Sequence, residues 1–271
     1  MNIRRCRIVL LAALIFLIST AADSQSDESI RHRINPPPGY RRIEVEAGDF
    51  GDWLRNLPLK TGNPPVHLFN GELKRNQTAH FAVVDMDIGN KDLQQCADAI
   101  IRLRAEYLYS IADFDAIHFN FSSGDRADFR KWINGFRPVV EGEKVSWVKS
   151  GIVDSSHSAL QKYLETVMIY AGSYSLQKEL KHISVIAEMQ IGDIFIQGGF
   201  PGHAEIVVEM AENPVIGEKL FLLAQSFMPA QEIHILKSPF DSSPWYPLDF
   251  GDLLDTPEWT FRRADLYRFN R

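Results

Sequence analysis

Cys96, His203 and Gln225 are the residue types, in the chain order, that thiol-based hydrolysis requires. That chemistry needs a sulfur that ionises readily, an imidazole to pair with it, and a third group to hold the other ring nitrogen. A free thiol, with a pKa of about 8.5, is mostly protonated at neutral pH. An imidazolium neighbour and the positive end of a helix shift it towards thiolate. Cys96 falls in the first turn of an expected helix, His203 opens an expected strand, and Gln225 ends the next one. In this reading Cys96 attacks, His203 carries the proton, and the Gln225 side-chain oxygen orients His203. The backbone N–H of Cys96 would supply one oxyanion donor. The bland alternatives are a buried cysteine acting as a small hydrophobe and a histidine that merely caps a strand.

The elements that would position these groups follow from hydrophobic spacing. Leu93, Ala97, Ile100, Ile101, Leu108 and Ile111 share one face of a helix expected over 92–111. Asp92 and Gln95 fit an N-terminal capping box for it. Strands are expected at 192–197, 203–210, 219–227 and 232–236, the first three reading as buried. Upstream, 40–47 alternates as a strand and 49–57 reads as a short helix. Segments 66–73 and 80–86 look like paired strands, with Asn70-Gly71 as a hairpin signal. The middle of the chain reads as a strand at 116–121, a polar helix at 125–134, a hairpin at 139–148 and helices at 156–171 and 175–182. Trp245, Tyr246, Trp259, Phe261 and Tyr267 suggest a packed C-terminal flap.

The 271 residues, 45% of them hydrophobic, can bury one sizeable core. A net charge of −6 argues against a general electrostatic footprint for nucleic acid. Arg4, Arg5 and Arg7 precede an apolar run from Ile8 to Ile18, and small residues follow. Residues 1–22 therefore read as a secretory signal peptide. The run is too short for an ordinary spanning helix, an uncleaved anchor being the alternative, and no second run could span. The expected location is periplasmic or extracellular. Residues 23–39 end in Pro36-Pro37-Pro38-Gly39 and read as a linker. Residues 40–271 read as a single α+β domain, an antiparallel sheet packed against helices. Removing the signal takes Cys6 with it and leaves Cys96 alone, so no internal disulfide is expected.

The run Cys96-Ala97-Asp98, then Gly192-Asp193-Ile194-Phe195-Ile196, then His203-Ala204-Glu205-Ile206-Val207-Val208, then Phe221 to Ser226 resembles the NlpC-type cell-wall hydrolases of the papain-like cysteine peptidase class. The resemblance implies a papain-like fold with an insertion at about 113–180. It also implies cleavage of an amide or peptide bond, with a peptide or cell-wall fragment as substrate. The chain departs from that class at Gln95, where aspartate is usual, at Ala97, where a small hydroxylic residue is usual, and at Gln225, where histidine is more frequent. The whole mature chain is also similar to a bacterial exported family known only as domain of unknown function 4846. The words that carry this likeness are Gln95-Cys96-Ala97-Asp98-Ala99, Arg102 to Leu108, and Gly192-Asp193. That name implies no activity. A non-catalytic binding protein of the same fold, and an acyl transferase or amidase using the same three residues on a lipid or small molecule, stand as alternatives.

Other constellations weigh less. Asp85 and Asp87 read as a strand-end turn before a cation site. Arg102 and Glu106 read as a pair on a solvated helix face before a grip on a substrate carboxylate. The remaining histidines show no metal-ligand spacing. Neither a metal nor a cofactor is expected.

Overall fold

The computed structural model describes residues 28–270. The expected signal peptide lies outside them. The fold is mixed α+β, a large antiparallel sheet with a few helices.

Helix α1 (Ile30–Arg33) falls within the expected linker. Ile30 and Ile34 are buried and Ser29 bridges to Pro58, so the described part of this segment is docked on the domain. Strand β1 (Arg41–Arg42) is much shorter than the alternation suggests. Helix α2 (Phe50–Arg55) starts where the Asp49 carboxylate accepts the Asp52 N–H at 2.7 Å. Strand β2 (His80–Val83) corrects an expectation, because it does not pair with 66–73. That stretch bridges to itself, His67 to Leu73, around the Asn70-Gly71 turn, and Leu68 bridges to Gln231. A local turn signal says nothing about which distant strand a segment will join.

Helix α3 (Cys96–Ser110) begins four residues later than expected. Gln95 is its N-cap, and the Asp98 carboxylate returns to accept the Gln95 N–H at 3.2 Å. Asp92 instead accepts from the Gln95 side chain at 3.1 Å and the Ala230 N–H at 2.7 Å. Strands β3 (His118–Asn120) and β4 (Arg126–Asp128) form a small hairpin. The helix expected at 125–134 is thereby reduced to α4 (Phe129–Ile133). Strands β5 (Phe136–Glu141) and β6 (Lys144–Lys149) make the expected hairpin. Helices α5 (His157–Tyr170) and α6 (Ser173–Glu179) follow. Leu160, Leu164 and Val167 of α5 and Leu176 of α6 share one core with Ile100, Ile101 and Leu103 of α3. Residues 113–180 are therefore integral to that core.

The main sheet is completed by β7 (Lys181–His182), β8 (Ile194–Gln197), β9 (His203–Glu212), β10 (Lys219–Gln225), β11 (His234–Leu236), β12 (Tyr246–Pro247) and β15 (Leu266–Arg268). Its order is β2-β11-β10-β9-β8-β15-β7, with β1 on the end of β9 and β12 on the end of β10. Strands β13 (Leu253–Asp255) and β14 (Thr260–Arg262) form a hairpin of the C-terminal segment. Both faces of the sheet are covered. Ala204, Ile206 and Val208 of β9 face the helical core, while Val207 joins Phe195, Phe221, Leu254 and Phe261 in a second core. Double coverage is why β9 is buried on both faces from His203 to Ala211.

Candidate active site

The sheet ends at His203, and α3 starts beside it. Cys96 is the first residue of α3, so its backbone N–H is among those the helix leaves without an internal partner. His203 is the first residue of β9 and Gln225 the last of the neighbouring β10. The antiparallel pairing of these strands brings both to one end of the sheet. The three residues singled out in the sequence are thus brought together. Cys96 is 7% exposed, while His203 and Gln225 are each 1% exposed.

The imidazole has a different neighbour on each side. His203 Nε2 lies 2.7 Å from Gln225 Oε1 and 3.4 Å from Glu205 Oε1. The Cys96 thiol interacts with the same ring. With Nε2 turned to Gln225 and Glu205, Nδ1 is the nitrogen left for sulfur. Phe227 and Trp259 pack around the ring, with centroids at 4.8 and 5.2 Å. Burial by itself would lower the His203 pKa. Its interactions with Cys96 and the Glu205 carboxylate outweigh that and raise it to about 9.

Glu205 escaped the sequence reading. It follows His203 by two residues, and the period of two along a strand places both side chains on one face. It is fully buried. Its Oε1 accepts from Thr256 Oγ1 at 2.8 Å, and its Oε2 has no partner among the described residues. Burial raises its pKa, opposed by the His203 ring and by Thr256.

A second layer fixes Gln225. Its Nε2 donates to Glu258 Oε2 at 2.7 Å and lies 3.3 Å from His234 Nε2. Glu258 is held by Lys74, itself buried. His234 Nδ1 donates to the Glu232 carbonyl at 2.8 Å. Burial and the nearby Lys74 charge push the His234 pKa down to about 3, so its ring is neutral and its Nε2 accepts. The amide is therefore oriented with its oxygen towards His203. Lys74 and Glu258 lie far from one another in sequence and from Gln225, so no spacing could have revealed this layer.

A cleft of about 180 Å³ opens over Cys96. Asp92, Gln95, Cys96 and Asp98 line one side, and Met168, Ser173, Met228 and the loop Gly199–Gly202 line the other. Phe200 stands fully exposed at the rim. The loop approaches α6 so closely that a Cβ on Gly202 would lie 2.5 Å from Ser173 Oγ and 2.5 Å from the Gly199 carbonyl oxygen. Only glycine fits that contact.

Arg102 differs from the expected solvated face. It is 9% exposed and donates to Gln94 Oε1 at 2.5 Å and to the Asp87 carbonyl, with Glu106 at 3.6 Å. No grouping of three His, Cys, Asp or Glu residues suited to a metal occurs among the described residues. No helix among them is long and apolar enough to cross a membrane.

A family model described as a domain of unknown function (4846) matches residues 30–268. No curated protein and no solved structure matches the chain.

Proposed function

We propose that this chain, which belongs to the family described as domain of unknown function 4846, is an exported cysteine hydrolase of papain-like, NlpC type that cleaves an amide or peptide bond. One observation carries the reading. The thiol at the first position of α3 interacts with the His203 imidazole, whose Nε2 is 2.7 Å from Gln225 Oε1, with a buried carboxylate 3.4 Å away. A helix N-terminus and an adjacent imidazolium both favour thiolate. A His203 pKa of about 9 keeps the ring protonated at neutral pH.

In the proposed reaction the Cys96 sulfur attacks the amide carbonyl carbon and an S–C bond forms. The developing oxyanion is met by the Cys96 backbone N–H. His203 gives its proton to the leaving nitrogen, and the C–N bond breaks. Water then attacks the thioester, His203 takes its proton, and the thiolate leaves. The products are a carboxylic acid and an amine. Gln225 keeps the ring in register, and Glu205 stabilises its charged form. Cell-wall peptides are the substrates that the NlpC resemblance implies.

The test is the alkylation rate of Cys96 against pH, read at that residue by mass spectrometry, with His203→Ala alongside. The expected profile is already at its plateau near pH 6 and loses that plateau in the variant. A thiol that reacts only on unfolding would overturn the reading and leave Cys96 as core filler.

A further inference from the structure

The two halves of the candidate site are gauged from adjacent residues at the end of β10. Phe221 and Leu223 of that strand belong to the second core, while Leu222 and Ala224 belong to the helical core. Alternation therefore continues Gln225 on one face and Ser226 on the other. Gln225 meets His203. Ser226, fully buried, turns its hydroxyl to the chain that leads into α3. Its Oγ lies 2.9 Å from the Gln94 carbonyl oxygen and 2.8 Å from that of Gln231, and it accepts the Gln231 N–H at 3.3 Å. Gln94 stands just before the Gln95 cap and is itself 2% exposed. From the other side its Oε1 accepts from Arg102 of α3 at 2.5 Å.

A second link runs beside the first. Asp92 Oδ1 accepts the Ala230 N–H at 2.7 Å, and also the side chain of Gln95, the N-cap of α3, at 3.1 Å. The segment 92–95 lies outside any helix or strand, so no sheet ladder fixes where α3 begins. The loop after β10 holds that segment instead, through buried Ser226 and exposed Asp92.

We propose that Ser226 and Asp92 are positioning residues: together they tie the segment before α3 to the end of β10 and so hold the Cys96 thiol within reach of the His203 ring. The proposal rests on the hydrolase reading and adds to it what keeps nucleophile and base together. The contacts close a circuit. It runs from His203 to Gln225, along one peptide bond to Ser226, across to Gln94, and on to Cys96, whose thiol returns to the ring. Opening a link lets thiol and ring part, and the attraction between their charged forms falls with separation. Both partners then hold their charged forms less well.

The other titratable groups about the pair are Asp92 and Asp98 beside the thiol, Glu205 on β9, Glu258 in the C-terminal hairpin and His234 on β11, with Lys74 behind Glu258. Helices α5 and α6 present Met168 and Ser173, which do not titrate in water. Neither Ser226 nor Gln94 titrates, so removing the Ser226 hydroxyl leaves each of those charges in place.

The experiment follows two readouts in the full chain: the alkylation of Cys96 against pH, read at that residue by mass spectrometry, and the titration of the His203 ring by NMR. Ser226→Ala is expected to move the alkylation plateau up by about one pH unit or more, a rate about tenfold lower near pH 6, and to bring the His203 pKa down from about 9 by a similar amount. Asp92→Ala and Asp92→Asn both lose the charge, but only asparagine keeps an oxygen for the Ala230 N–H and the Gln95 side chain. The alanine variant should be slower than the asparagine variant near pH 6 by about threefold or more. A Ser226→Ala chain that melts earlier yet keeps both titrations would mark the hydroxyl as merely structural and overturn the proposal. If that variant does not fold, the Asp92 pair decides, and identical profiles overturn it. A thiol that reacts only on unfolding, beside a ring titration that still moves in Ser226→Ala, would sink the hydrolase reading and leave the positioning role standing. A plateau near pH 6 that depends on His203 but on neither Ser226 nor Asp92 would do the reverse.

Discussion

Replacing Glu205 by Gln removes one charge from the His203 pair and little else. The side chain keeps its length and an oxygen for Thr256 Oγ1, now 2.8 Å away. The His203 pKa of about 9 against an ordinary 6.5 corresponds to about 3 kcal/mol of folding stability, an upper bound shared between Cys96 and Glu205. The sign is fixed by linkage. A group whose folded pKa is raised binds more protons folded than unfolded between the two values. Its contribution is complete below about pH 6.5 and is lost as pH rises through about 9. Glu205→Gln should lower the His203 pKa by about one unit or more, given a carboxylate 3.4 Å away. The loss of stability between pH 6.5 and 9 should then shrink. Denaturant melts across that window, with the His203 ring followed by NMR, provide the assay. An unchanged His203 titration in the variant would refute the reasoning and leave Gln225 and Cys96 as the groups that hold the ring.

Other substitutions probe the supports of the site. Lys74→Met leaves the Glu258 carboxylate without its buried partner, and a loss of about 3–5 kcal/mol is expected in a denaturant melt. If Glu258 serves only as surface charge, the melt will not move. Gly202→Ala must displace the Gly199 carbonyl or Ser173, at a cost of about 1–3 kcal/mol. It should also slow the alkylation of Cys96 by moving the cleft wall, and an unchanged rate would show that this loop does not shape access.

Cys96 at a helix start was legible because a capping pattern and an apolar face are local properties, although the cap proved to be Gln95 with Asp98 and not Asp92 with Gln95. The hairpin at Phe136–Lys149 and helix α5 were legible for the same reason. The pairing of β2 with β11 was not, because strand partners more than about 150 residues apart leave no mark in spacing. Arg102 looked solvated from its charge, yet it is buried against Gln94 and Asp87, which a periodicity argument cannot see.

By itself the sequence determined the residue types, their order, and the local elements on which Cys96, His203 and Gln225 lie. Those features depend on neighbours a few residues away. Only the tertiary structure decided which groups meet. The antiparallel pairing of β9 and β10 sets Gln225 against His203, and the start of α3 brings the thiol to the same ring. Folding also buried Glu205 and Asp98, and burial is what raises their pKa values, because a carboxylate out of water keeps its proton longer.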